Sequence, residues 1–338
     1  MWTEEKLNQM LTDPSEALVR DMARLQGDLM ILGAGGKMGP TLCVLAKKAV
    51  EKSGVPRRVI AVSRFSDPLA TGLLREYGVE TISCDLTDRT QLNALPDAEN
   101  IVFMAGVKFG TTGSEANTWH MNAAVPAFVA DRFRGGRMVV FSSGNVYPIV
   151  PVSSGGSREC DPVGPIGEYT QSVQARERIF EYAARKYGSK VLIFRLNFAV
   201  DLRYGVLYDM AQRILAGEPI ALDTPVLNCI WQGSANEMAL RSLLHAESPA
   251  NIMNVTGPEI VSVRSAAQQL GQYLGKEPIF AGTEGTDAYL NNAERAMEVF
   301  GYPAVSIHKL IRWQAEWILD GGRGLNKPTH FEERKGSY

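Results

Sequence analysis

Between Ile31 and Gly39 the chain reads Ile-Leu-Gly-Ala-Gly-Gly-Lys-Met-Gly. Glycines at 33, 36 and 39 allow a sharp turn and a close approach of backbone to a ligand. A helix opening just after them adds unpaired N–H donors and the positive end of its dipole, a combination suited to a pyrophosphate. The flanks agree. Asp28 to Leu32 reads as a strand, and Leu42, Leu45, Ala46 and Ala49 share one face of a following helix. Because Met38 follows Lys37, the turn is not the phosphate loop of an NTPase. The next apolar run ends at Ser63-Arg64 without an acidic residue at its tip, and Asp67 lies beyond. An acidic residue there would bond a ribose 2′-hydroxyl, whereas an arginine accommodates a 2′-phosphate. Ser63, Arg64 and the nearby Lys37 therefore favour NADP, with NAD possible; the alternative leaves Arg64 as a solvated loop residue. After the third strand, Cys84-Asp85-Leu86 offers Asp85 either to an adenine edge or as the cap of a short turn. Met104-Ala105-Gly106, after the fourth, places small residues where backbone must approach the cofactor.

These residues need a scaffold, and the pattern supplies one. Strands are expected at 28–33, 57–62, 79–84, 99–104, 137–142 and 190–196, with helices at 37–52, 68–77, 115–133 and 168–187. The strands are continuous apolar runs, as in a sheet covered on both faces. Repeated βα units imply an α/β fold: a Rossmann-type, doubly wound parallel sheet over 28–200. Residues 1–27 read as a helical lead-in, with Asp13-Pro14 as a helix start and Gly27 as a stop. Past residue 200 the rhythm breaks. Helical stretches at 206–216, 234–246, 262–274, 289–299 and 307–319, with strand-like pieces such as Ile252 to Val255, suggest a smaller mixed α/β substrate lobe over 201–320. The tail, 321–338, is Gly-rich and polar, and is expected to be loosely ordered or docked on a partner.

Composition narrows the classes. The chain has 338 residues, 45% hydrophobic and 21% charged, enough to bury a full core. A formal net charge of −2 gives no electrostatic footprint for nucleic acid or an anionic membrane. Four scattered cysteines without a CxxC pair, and four scattered histidines, argue against a metal site and for a reducing compartment. The N-terminus has neither the basic region nor the apolar run of a signal peptide, and no stretch reaches membrane-spanning length, so a cytoplasmic location is expected.

With these motifs in order, the chain resembles the extended short-chain dehydrogenase/reductase family of sugar epimerases and dehydratases, over about residues 28–320. Gly33-x-x-Gly36-x-x-Gly39 matches its glycine motif. Phe141-Ser142-Ser143-Gly144-Asn145-Val146-Tyr147 resembles its "SSxxVY" element, and Glu159-Cys160-Asp161-Pro162, Pro165 and Tyr169 resemble its approach to a catalytic tyrosine. Arg195-Leu196-Asn197 and Met253-Asn254-Val255-Thr256-Gly257 resemble two later segments, and Trp313 and Trp317 stand where the family ends in a Trp-bearing helix. The resemblance implies that Ser143 orients a substrate carbonyl or hydroxyl and that Tyr169 is the acid/base facing the cofactor. Asn122 matches a family asparagine that braces the site. Asn145, Asn197 and Tyr147 would bound the substrate pocket. Trp231 would either stack on a sugar ring or fill the core.

Two departures carry physical weight. The family's tyrosine is followed four residues later by lysine, but here that position is Val173. A free tyrosine has a pKa of about 10, so roughly one in a thousand is ionised at pH 7; a neighbouring ammonium raises that fraction. Tyr182-Ala183-Ala184-Arg185-Lys186 is a literal YxxxK, but it lies at a helix end, where Lys186 complements the dipole. Lys108, on the loop after the fourth strand, is the substitute cation expected here, both for catalysis and for substrate. Arg176, seven residues after Tyr169 on the same helix face, is read first as surface charge. The second departure is at Leu227 to Ser234, which lacks the basic residue the family uses to meet a diphosphate, although Arg203 or Arg213 could replace it. A free sugar or sugar acid is expected rather than a nucleotide-linked one.

The expectation is thus an NAD(P)-dependent oxidoreductase or epimerase acting on a hydroxyl or keto carbon of a sugar-like molecule. A dehydratase ranks lower, since no acidic residue follows Ser143 within its element. The alternative, resting on Val173, is a non-catalytic NADP-binding sensor or scaffold. The family likeness further implies a homodimer paired through helices 115–133 and 168–187.

Overall fold

The computed structural model describes residues 1–66, 68–108, 110–325, 327 and 329–336, with backbone alone at 68–70. Asp67, Phe109 and the tail residues Asn326, Pro328, Ser337 and Tyr338 lie outside the described residues. Seven strands form one parallel sheet: β1 Leu29–Leu32, β2 Val59–Ser63, β3 Glu80–Ser83, β4 Asn100–Phe103, β5 Arg137–Ser143, β6 Lys190–Leu196 and β7 Asn251–Val255. Their order across the sheet is β7-β6-β5-β4-β1-β2-β3. Alternate residues face opposite layers. Ile31, Val102, Val139 and Leu192 pack with Leu42, Leu45 and Ala46 on one side. Met30, Ile101, Val140 and Ile193 pack with Val125, Val129 and Phe180 on the other. Two covered faces explain why the strands read as unbroken apolar runs.

The helices α1 Glu4–Thr12 and α2 Glu16–Arg24 precede the sheet, and α3 Gly39–Ser53 follows the glycine turn. The N-caps are Thr3 and Ser15, whose hydroxyls accept from Lys6 and Leu18 N–H; Asp13 ends α1 rather than starting a helix. Three further helices, α4 Pro68–Glu76, α5 Arg89–Asn93 and α6 Glu115–Trp119, lead into a π-helical turn at His120–Ala124. Then come α7 Val125–Arg132 and the long α8 Glu168–Tyr187. The expected helix over 115–133 is thus one axis with a π turn at Asn122.

The remaining helices are α9 Val206–Ala216, α10 Gln232–Arg241, α11 Val263–Leu274, α12 Glu294–Phe300 and α13 Ile307–Leu319. A separate apolar cluster joins α9, α11 and α13, and Trp2, Leu7 and Leu11 complete it. The N-terminal helices therefore wedge between layers rather than leading in freely, since α2 packs on α3 in the sheet's own core. One segment departs from the expected division at residue 200. Strand β7 leaves the second lobe and pairs in parallel with β6.

The tail also departs from expectation: its described residues dock on their own chain. Leu325 N–H donates to the Arg203 carbonyl at 2.9 Å. Thr329 donates from its N–H and hydroxyl to the Asp209 carboxylate, at 2.8 and 2.5 Å. Arg213 pairs with Glu332, Arg334 with Asp287, and Phe331 is buried. Polar composition suggested looseness, but Thr329, Glu332 and Arg334 each have a partner on the second lobe.

Candidate active site

The strand order reverses between β1 and β4, where a crevice opens at the carboxyl ends of open α/β sheets. The glycine turn and the Met104-Ala105-Gly106 loop leave the sheet on either side of that point. Gly33 has φ +92°, and a Cβ there would lie 2.5 Å from the Ala105 nitrogen, so only glycine lets the two loops touch. Helix α3 begins at Gly39 with no side-chain cap; the Gly39 N–H donates to the Gly36 carbonyl at 3.2 Å and Pro40 carries none, so the positive end of the helix dipole is what this turn offers a ligand. Packing against Ala34 likewise leaves no room for a side chain at Gly39.

The crevice encloses about 310 Å³. Its walls include Gly33, Gly36, Lys37, Met38, Met104 and Gly106 from the two loops. Lys108, Asn122, Ser143, Asn145, Tyr169 and Asn197 line it as well. Ser63, Arg64, Asp85 and Leu86 stand outside that enclosure, at the ends of β2 and β3. Arg64 is exposed. Asp85 spends one oxygen on the Thr87 N–H and hydroxyl, at 3.0 and 2.8 Å, a local turn. Those bonds and the Arg64 charge hold its carboxyl below the usual range.

Tyr169 sits in the first turn of α8, entered through Gly167 at φ +84°. Its hydroxyl is hydrogen-bonded to Ser143. Ser143 in turn accepts from the Asn145 N–H at 3.2 Å. Burial pushes the phenol's pKa up; the Arg176 charge and the Ser143 bond pull against it. Val173 does not face the crevice but packs with Val146 and Tyr147 beneath the phenol.

Arg176, expected on the surface, is buried, and its guanidinium reaches back along α8 into the crevice. It donates to the Phe141 carbonyl at 2.8 Å and to the Asn122 side-chain oxygen at 2.8 Å. It presses on Gly106 so closely that any side chain there would collide with it. Asn122 also accepts from the Val107 N–H and donates to the Val107 carbonyl, each at 2.9 Å. One asparagine thus fixes both the loop after β4 and the guanidinium. Sequence spacing gave Arg176 the right face; only its long side chain and the small residue at 106 let it enter.

Lys108 lies 5.9 Å from the ring centres of both Tyr169 and Phe198, and burial lowers its pKa to about 8. Lys37 crosses the crevice to donate to the Ala199 carbonyl at 3.0 Å, over the Tyr204 ring at 3.5 Å. Burial lowers its pKa to about 7, and Lys108 and Arg203 add to the effect, while Asp201 opposes it.

Two expected substrate residues are elsewhere. Tyr147 is buried beneath the site, accepting from Arg195 at 2.6 Å and donating to Asn254 at 2.9 Å. Trp231 lies in the second lobe's core, edge-on to Trp313 at 5.7 Å. Phe198, Tyr204 and Thr329 are among the lining residues that were not anticipated. Phe198 has φ +41°, a strained value for a bulky residue, and no sequence pattern announces it. Thr329 belongs to the tail.

Among the described residues, no group of three or more His, Cys, Asp or Glu side chains could hold a metal ion. Nor is any helix among them long and apolar enough to cross a membrane.

The NAD dependent epimerase/dehydratase family matches residues 29–255. No curated protein matches the chain in sequence. Among solved structures, the chain is similar to UDP-glucuronic acid 4-epimerase from Bacillus cereus in complex with NAD: 16% identity, TM-score 0.70, covering 87% of this chain and 99% of that one. UDP-glucose 4-epimerase from Thermotoga maritima with UDP-glucose gives 18% and 0.69, with the same coverages. Pal from Bacillus thuringiensis gives 16% and 0.72, again covering 87% and 99%. At such identities these structures speak for the fold, a Rossmann-type sheet. The family match spans most of the chain: this protein belongs to the NAD dependent epimerase/dehydratase family and is an enzyme of it.

Proposed function

We propose that this enzyme oxidises, reduces or epimerises a hydroxyl or keto carbon of a sugar or sugar acid with a nicotinamide dinucleotide, NADP in preference to NAD. One observation carries the reading. The hydrogen-bonded Ser143 and Tyr169 hydroxyls stand beside a buried guanidinium, in the same crevice as an uncapped glycine turn. The residues present fit a dinucleotide. Gly33 and Gly39 let the turn close on Ala105 and Ala34, where any Cβ would collide, the positive end of the α3 dipole suits phosphates, and Gly106 keeps the second loop low. Ser63 and Arg64 would meet a 2′-phosphate, and the absence of an acidic residue at that tip favours one. Bound there, the dinucleotide supplies a hydride acceptor or donor for the substrate carbon.

The rest of the chemistry belongs to the chain. Tyr169 takes the proton from a substrate hydroxyl on oxidation and returns it to a carbonyl on reduction. Ser143 hydrogen-bonds the same oxygen and orients it. Arg176 favours the tyrosinate through its charge, the part a lysine at 173 would otherwise play. Raised by burial, the phenol is protonated at neutral pH, so reduction is ready at pH 7, while oxidation gains as pH rises.

The Thermotoga maritima structure named above holds UDP-glucose, but the residues here that could replace a diphosphate-binding base are already engaged. Arg203 pairs with Asp201 and Glu4, and Arg213 with Glu332. This supports a small, nucleotide-free substrate. The protein is proposed to act in the cytoplasm, as a homodimer, without nucleic-acid or membrane partners. Purified protein tests the reading: it binds NADPH with a change in nicotinamide fluorescence and turns over at least one sugar or sugar acid. Tyr169→Phe lowers that turnover about 100- to 10,000-fold while binding persists. Binding without turnover would instead favour a sensor.

A further inference from the structure

The residue after Arg176 in α8 is Glu177, whose side chain is wholly buried. Both of its oxygens are engaged. Arg195 of β6 donates from Nε to one at 2.9 Å and from a terminal nitrogen to the other at 2.7 Å. The Ser142 hydroxyl of β5, next to Ser143, donates to the first at 2.5 Å. Arg176 stands outside this exchange. Its guanidinium donates to the Phe141 carbonyl and to the carbonyl and side-chain oxygens of Asn122, all of them neutral acceptors. A buried charge is costly unless an opposite charge accompanies it. Two buried guanidiniums here share one buried carboxylate, and that carboxylate is paired with the more distant of the two. The cluster therefore holds one positive charge without a partner, two helical turns along α8 from the phenol of Tyr169. Other charged or titratable groups around the site come from separate elements. Lys108 follows β4, Lys37 belongs to the glycine turn, and Tyr204 to the second lobe. Tyr147 accepts from Arg195, and Glu159 accepts from the Asn254 N–H beyond it.

Resting on the acid/base reading of Tyr169, we propose that Glu177 is a positioning residue of the reaction: held by Arg195 and Ser142, it anchors α8 to β5 and β6 and leaves the Arg176 charge to the ionised phenol. A carboxylate paired with Arg176 itself would neutralise the guanidinium before Tyr169 could use it. With no carboxylate at 177, Arg195 would add a second unbalanced charge. As built, the cluster becomes neutral when the tyrosinate forms and regains its positive charge when the phenol takes a proton. The fold thus keeps a place for one negative charge, and the phenol is the group that fills it. The charge effects run the same way, since Glu177 supports the protonated state of Arg176 and Arg176 favours the tyrosinate.

The experiment uses the full chain, free of cofactor and labelled with 3-fluorotyrosine. Fluorine NMR follows each phenol as pH rises, and the resonance missing from Tyr169→Phe identifies the one to read. Glu177→Gln keeps the shape of the side chain and removes its charge, so the Tyr169 titration moves down by about one pH unit. Glu177→Gln combined with Arg195→Met restores the charge balance, and the titration returns to about the wild-type midpoint. The double variant leaves Arg195 no buried charge to strand, so it folds even where the single variant does not, and it then decides alone. A Tyr169 midpoint that stays in place or rises in Glu177→Gln makes Glu177 a structural brace and overturns the proposal. A midpoint moved by a full pH unit in the double variant overturns it too. NADP binding and turnover are measured apart on the same chains. Their absence would remove the cofactor or acid/base reading of the site, while the titration still decides how Glu177 acts on the phenol.

Discussion

At the scale of single residues, a guanidinium now stands where family likeness led one to look for an ammonium. Arg176 is seven positions from Tyr169, two helical turns, and its side chain points back toward the phenol. Arg176→Ala removes the charge that lowers the phenol's pKa, so the pH–rate profile for oxidation moves to higher pH. It also removes a donor from the buried Phe141 carbonyl and from the Asn122 oxygen, which keeps the Val107 N–H. The expected loss is roughly 1–3 kcal/mol in urea unfolding, from the lost buried bonds. A merely structural arginine would show the second effect and not the first.

Lys37 has its own signature. With its folded pKa near 7 and an unfolded value near 10.5, the folded chain binds fewer protons between those limits. Stability of the ligand-free protein therefore rises with pH across that window, and is lowest below it, where the buried ammonium must stay charged. A dinucleotide's phosphates reverse the preference, so binding takes up protons at pH 8 and affinity falls as pH rises past 7. Calorimetry in buffers of different ionisation enthalpy reads the uptake, and Lys37→Met abolishes it.

At the scale of elements, much could be read directly from the chain. The six strands lie within two residues of their expected bounds, because all but β3, a half-exposed strand at the sheet edge, are apolar runs covered on both faces. The glycine turn was legible for the same local reason: a turn that must touch Ala105 tolerates nothing larger. What escaped depends on contacts between distant segments. A π turn at Asn122 is set by its bonds to Val107, Ser172 and Arg176 rather than by local propensity. Trp231 is apolar wherever it sits, so composition could not tell a ring-stacking wall from a core residue beside Trp313. Helices α7 and α8 present a second, open groove of about 440 Å³ that includes Phe128, Ile179, Tyr182 and Tyr187. Tyr182 is 59% exposed there. Such a face suits pairing with a second copy. Sedimentation velocity is expected to show a dimer, and Ile179→Asp with Tyr182→Asp a folded monomer.

At the scale of the whole molecule, both ends of the chain meet beside the glycine turn, where Glu4, Asn8 and Leu325 line a neighbouring hollow with Gly36 and Lys37. The N-terminal helices carry Glu4 and Asn8 to Arg203, and the tail carries Thr329 to the crevice. Gly336 lies against Gly167, the entry to the helix that bears Tyr169. The tail therefore straps the second lobe to the catalytic helix. A chain ending at residue 320 loses the buried Phe331 and the Thr329–Asp209 bonds. It is expected to lose about 3–5 kcal/mol of stability and to release NADPH faster in stopped-flow fluorescence. The claim on which everything else depends is that a dinucleotide lies across this sheet edge with its reactive end at the phenol. A crystal structure of the NADP complex tests it most directly. The account predicts phosphates at the Gly33–Gly39 turn, Lys37 released from the Ala199 carbonyl, and the nicotinamide ring beside Tyr169 with its ribose next to Arg176. A complex in which Lys37 still spans the crevice and the dinucleotide binds elsewhere would contradict it.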